Sequence, residues 1–160
     1  RRCAGIELQL SCSRLAGDAE TLNCKSTSLS IQAAHGQLSE IVKPAEMPNY
    51  TAVGIGCAVA NDGTAYFVAQ YGELPFGCEF CEWHYLYDQN GQQLTHSQPT
   101  VLRDPSLPGD DKQYPNNQEF TALQQKLGLP KVNIDFLSCD VRIDERGEPT
   151  CLKERGDAGE

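Results

Sequence analysis

The chain has 160 residues, a mass of 17.6 kDa and a net charge of −9, with 39% apolar and 22% charged side chains. Folding a chain of this size buries roughly 69% of its unfolded surface, so a hydrophobic core in a single domain is within reach. The composition excludes wholesale disorder, the acidic balance argues against nucleic-acid binding, and no apolar stretch is long enough for a transmembrane helix.

The chain opens at Arg1-Arg2-Cys3 with no apolar leader core, so any signal peptide is expected to be already removed. Ile6, Leu8 and Leu10 alternate with polar residues and predict a first strand. Val53, Ile55, Cys57 and Val59 alternate with Gly and Ala, and residues 64–69 follow the turn Asn61-Asp62-Gly63. This pattern predicts a hairpin. A second hairpin is expected where Trp83, Tyr85 and Tyr87 reach Asp88-Gln89-Asn90-Gly91 and the chain returns through 92–95. Residues 104–114 read as a long irregular loop, a type of segment that often carries function.

One helix is predicted over about 117–127. Asn116 supplies a cap, Glu119 a reciprocal capping-box partner, and Phe120, Leu123 and Leu127 an apolar stripe. Gly128 and Pro130 end it. Val132, Ile134 and Phe136 then read as a strand, and 141–143 with 151–152 as a third hairpin around Asp144–Gly147. The expected fold is mainly β with a minor α component: an antiparallel, hairpin-built, disulfide-stapled domain over 1–153, with a frayed polar tail over 154–160.

Eight cysteines, an even number spread over the chain, point to an oxidising, extracytoplasmic compartment such as the periplasm or the extracellular space. The expected pairs are Cys139–Cys151, Cys78–Cys81, Cys12–Cys24 and Cys3–Cys57, chosen from 105 possible pairings mainly by the turns they would close. Cys78-x-x-Cys81 is a poor redox motif, because Glu79 and Glu82 disfavour a thiolate. Zinc would want a second such pair or paired histidines, and His35, His84 and His96 lack that spacing. No cofactor or metal is expected. Gly54-x-Gly56 precedes a strand rather than a helix, so it is no dinucleotide loop.

Charge is unevenly placed. From Pro44 to Leu102 there is no Lys or Arg, while Glu46, Asp62, Glu73, Glu79, Glu82 and Asp88 lie there, and eight of the twelve aromatics cluster between Tyr66 and Tyr87. A one-sign field of this kind steers basic partners. Aromatics framed by carboxylates resemble an interface anchor inside a charged rim. The expected partner surface therefore joins Glu79, Glu82, Trp83 and Asp88 to Asp104, Ser106, Asp110 and Asp111, on a loop that Pro105 and Pro108 stiffen. The leading expectation is a non-enzymatic binding protein that sequesters a basic toxin or hydrolase, in the manner of immunity proteins and hydrolase inhibitors. The alternatives are an extracytoplasmic hydrolase with a Glu79/Glu82/Asp88 carboxylate pair and a domain stabilised by Ca²⁺ at Asp88, Asn90 or the 104–111 loop.

Overall fold

The computed structural model describes residues 1–14, 20–33, 36–74, 82–104, 106 and 113–154. In chain order the elements are β1 (Arg2–Cys3), β2 (Ile6–Arg14), β3 (Thr21–Gln32), β4 (Leu38–Ile41), β5 (Thr51–Val59), β6 (Ala65–Gly72) and β7 (Trp83–Tyr87). There follow β8 (Val101–Arg103), β9 (Gln113–Pro115), α1 (Gln118–Lys126), β10 (Asp135–Phe136), β11 (Asp140–Ile143) and β12 (Pro149–Glu154). The fold is mainly β, antiparallel throughout, with one short helix.

The strands form two main sheets. One runs β1-β2-β3-β12-β11, with β4 also pairing β3; the other runs β10-β5-β6-β7. The first sheet presents Ile6, Leu8, Leu29, Ile31 and Ile41 to a shared core, and the second answers with Ile55, Phe67, Tyr71, Trp83, Tyr85 and Tyr87. Alternation puts the next residues of the second sheet on its far face, and that face is covered too. Ala58, Val68 and Leu86 pack there with Phe120 of α1 and with Leu129. The result is three layers: sheet, sheet, and helix with coil. Strand β6 is therefore buried on both sides, with only Tyr66 partly exposed.

Two glycines in β5 make the third layer possible. A Cβ on Gly54 would stand 2.5 Å from Ile134 Cγ2, and one on Gly56 would stand 2.5 Å from Val132 Cγ1. The Gly-alternating pattern of β5 is thus close approach of a coil to a strand. It also explains a difference from the sequence reading. Only Asp135–Phe136 pairs with β5, because residues 132 and 134 are used for packing, and Phe136 is exposed.

The predicted turns form with one shared chemistry. Asp88 Oδ1 accepts from the backbone N–H of Asn90 and Gln92, and Asp144 Oδ1 accepts from those of Arg146 and Glu148. Gly91 and Gly147 take φ of 80° and 79° three residues after each Asp. The return from Asp88 is shorter than predicted, however. Tyr87 bridges Gln93 and Leu94 N–H bonds Leu86 O, but the Thr95 hydroxyl then accepts from Leu86 N–H where a strand would offer its carbonyl. Residue 154 also differs, since Glu154 pairs with Thr21 in β12 rather than starting a tail.

Three of the expected disulfides are present. Cys3–Cys57 joins the two sheets, Cys12–Cys24 ties β2 to β3, and Cys139–Cys151 ties the approach to β11 onto β12. The loops they close span 54, 12 and 12 residues, for about 4, 3 and 3 kcal/mol in the chain-entropy account. Cys78 and Cys81 lie outside the described residues. The disulfides mark an oxidising environment, and among the described residues no helix is long and apolar enough to cross a membrane.

The helix should be anchored by one side chain. Phe120 is 8% exposed in the outer cluster, whereas Leu123 and Leu127 are only partly buried. Phe120→Ala is expected to cost about 3–5 kcal/mol in denaturant unfolding. A cost below about 1 kcal/mol would mean that α1 does not seal the outer face of the sheet.

Candidate binding surface

The surface is built around the outer edge of β7. An open edge strand is a template for unwanted pairing, and here it is closed by side chains. His84 N–H donates to Asn117 Oδ1 at 2.9 Å, Asn117 Nδ2 donates to Glu82 O at 2.8 Å, and Leu86 N–H donates to Thr95 Oγ1 at 2.9 Å. Short polar side chains that imitate a neighbouring backbone are well suited to this task.

This corrects the capping expectation. Asn117, not Asn116, is the N-cap, and it makes no side-chain cap bond because both ends of its amide are used on β7. Asn116 Oδ1 does accept from Gln118 N–H, while its Nδ2 donates to Gln98 O at 2.8 Å. Glu119 does not reach back to the cap; its Oε2 accepts from His96 N–H at 2.8 Å. The first turn of α1 is thereby fastened to the 96–98 segment, which includes a cis Gln98–Pro99 bond.

Trp83 also differs from expectation. It is 1% exposed, with its ring 4.3 Å from that of Tyr50, and its indole N–H bonds Thr100 O. It cannot be the partner-contacting anchor. The second sheet has two covered faces, so these aromatics need not stand at the surface as an interface anchor. Trp83 serves as a foundation instead: Thr100 and Asn116 flank the β8–β9 ladder, in which Val101 pairs with Pro115 and Arg103 with Gln113. The two flanks of the expected irregular loop are therefore paired strands rooted on the core, and residues 105 and 107–112 lie outside the described residues.

The other expected residues separate into two places. Glu82 is exposed at the start of β7, beside that root. Asp104 lies at the end of β8, where its Oδ1 accepts from Ser106 N–H at 2.9 Å and Oγ at 2.5 Å. The Ser106 hydroxyl bond, followed by its backbone bond, holds the Asp104 carboxyl below its usual pKa. Asp88 sits at the far end of β7, roughly 20 Å from Glu82 at strand spacing, and its Oδ1 is committed to the turn. Glu79, Asp110 and Asp111 lie outside the described residues.

The root carries acidic groups that the sequence did not single out as site residues. Glu46 Oε1 accepts from Ser97 N–H at 3.3 Å and lies 3.2 Å from His96 Nδ1, with its side chain only 9% exposed. Burial raises its pKa, but bonds from its own and the Ser97 backbone and from His96 outweigh it, so the carboxyl stays below its usual value. Burial, helped by the Glu46 charge, pushes the Tyr71 hydroxyl up to about 12 and raises those of Tyr85 and Tyr87 as well. The Tyr85 hydroxyl faces Glu46 but makes no hydrogen bond of normal geometry among the described residues. Beside this group His96, Gln98, Asn116, Gln118 and Glu119 line an open cleft of about 410 Å³. Glu46 reaches this site by bonds to His96 and Ser97, 50 and 51 residues away, and no local motif reports such contacts.

His84, on the outer face of β7, packs against Phe120 and lies 3.1 Å from Gln70 Oε1. Burial lowers its pKa, partly opposed by Glu82. His84 and Glu46 thus both have folded-state pKa values below the ordinary 6.5 and 4.5. Their contributions are complete at neutral pH and fade on acidification, His84 below about pH 6.5 and Glu46 below about pH 4.5. The melting temperature is expected to fall steadily from pH 7 to pH 4. His84→Gln should flatten the upper part of that fall, and Glu46→Gln the lower part. A melting temperature that is level or rising on acidification contradicts this assignment.

Neither protein-family models, curated proteins nor solved structures give a match to this chain.

Proposed function

We propose that this chain is an extracytoplasmic binding protein, periplasmic or secreted, that holds a basic protein by the β8–β9 hairpin and the acidic ground around its root. The observation that carries this reading is the foundation of the hairpin. Trp83 and Asn116 bond its base to the core, directly beside exposed Glu82. A hairpin held in this way loses little entropy on docking into a partner's cleft. The hairpin is mixed in sign, with Arg103 and Lys112 among Asp104, Asp110 and Asp111. The acidity of the surface therefore rests mostly on Glu46, Glu82 and Glu119 at the root, within or next to the stretch without Lys or Arg. A basic toxin or hydrolase fits that field, which speeds encounter and disfavours acidic competitors.

The hydrolase alternative receives no support from Glu82 and Asp88, whose roughly 20 Å separation exceeds the 5–9.5 Å that glycoside hydrolysis uses. The calcium alternative loses an oxygen of Asp88 to turn amides and one of Asp104 to Ser106.

The test is capture from the native source on immobilised protein, eluted with a salt gradient, followed by affinity measurement on the purified partner. One basic protein, released by salt, is expected. Replacing Glu82 and Glu119 at the root, together with Asp110 and Asp111, by their amides should weaken binding at least tenfold, as desolvated charges do, with the melting temperature nearly unchanged. A partner that the quadruple variant binds equally well contradicts the reading, as does retention that salt does not affect.

A further inference from the structure

Most sheet edges among the described residues are short or closed. β1 and β10 have two residues each, and β7 is covered by Asn117 and Thr95. Two four-residue edges remain, β4 and β11. On β11 all four residues are exposed, including Val141 at 40% and Ile143 at 68%.

The hydrogen-bond phase of β11 follows from its turn. Asp144 N–H bonds Glu148 O, so going back along the ladder the bonded pairs are Arg142 with Thr150 and Asp140 with Leu152. Ile143 faces Pro149, which has no N–H to give, in agreement with that phase. Val141 and Ile143 therefore point their own N–H and C=O groups away from β12, toward the open side.

We propose that two copies of this chain pair through β11, antiparallel, about a two-fold axis at Val141. In that register Val141 bonds Val141 of the other copy, and Ile143 bonds Cys139. Asp140 then lies directly opposite Arg142 in a non-bonded pair, where side chains approach most closely. The symmetry makes this ion pair twice. In the single chain Asp140 and Arg142 lie on one face, 3.9 Å apart and both exposed, so both are available. The neighbouring permitted register, centred on residue 142, sets Arg142 against Arg142, and like charges directly opposite are destabilising. Charge thus selects one register. β4 offers no such complement, because Glu40 is its one charged residue. The isologous pairing continues the larger sheet across two chains.

Sedimentation velocity over a concentration series, in physiological salt that screens the net −9 of each copy, tests this. The native chain should show a monomer–dimer equilibrium. Arg142→Asp and Asp140→Arg should each weaken association about tenfold by placing two like-charge pairs across the axis. The double exchange, Asp140→Arg with Arg142→Asp, should restore it. Val141→Pro should remove the dimer while leaving the melting temperature near native, since its N–H faces away from β12. A chain that stays monomeric at its highest soluble concentration overturns the proposal. So does a dimer that Arg142→Asp and Val141→Pro leave unchanged, or one that the double exchange does not restore.

Discussion

The architecture depends on how the outer edge of β7 is closed. A four-stranded sheet buried on both faces leaves its last strand with N–H and C=O groups that must bond something. Among the described residues no further strand of this sheet follows β7. Asn117 and Thr95 supply the partners from side chains, and the backbone of Leu94 supplies one more. That choice places α1, the 94–100 segment and the base of the β8–β9 hairpin against the same edge. Asn116, Ser97 and Trp83 then tie the three together around Gln98 and Thr100. What is a solution to an edge problem is also the platform on which the β8–β9 ladder stands.

Much of the fold was legible in the sequence because it is written in local chemistry. Period-two alternation marked β2, β5 and β7, and Asp-to-Gly spacing marked the turns at Asp88 and Asp144. The Phe120 stripe closed by Gly128 marked the helix. Cys139–Cys151 staples strands joined by such a turn, Cys12–Cys24 staples β2 to β3 across Gly17-Asp18 of the sequence, and Cys3–Cys57 follows by elimination. What was not legible is tertiary. Asparagine before a helix has the same appearance whether its side chain caps the helix or crosses to another strand. Trp83 looked surplus to one core because alternation cannot say that its sheet is covered on both faces. The glycines of β5 are visible in the sequence but the reason for them is not, since their neighbours Val132 and Ile134 are some 80 residues away.

The candidate surface was half legible for the same reason. A stretch without Lys or Arg is visible by inspection and points to Glu82, while Asp104 comes from the irregular segment that follows it. Asp88 is acidic and near in sequence, yet a strand of five residues carries it away, and its oxygen is needed by the turn. Glu46 was the converse case: far from the other residues in sequence, half hidden, and held ionised at the root by Ser97 and His96. Burying a carboxylate among three tyrosines is costly unless hydrogen bonds answer it, and here they come from the segment that seats the hairpin. Charge, edge closure and hairpin placement are therefore one arrangement rather than three.

Native-state hydrogen exchange tests this most directly. The outward amides of β7, those of His84 and Leu86, should exchange only through large-scale unfolding, as slowly as core amides of β6. Asn117→Ala should speed exchange at His84 far more than at Leu86, which keeps Thr95. Fast exchange at both amides in the native protein would show an open edge. It would contradict the claim that side chains from 95–117 close the sheet and seat the hairpin.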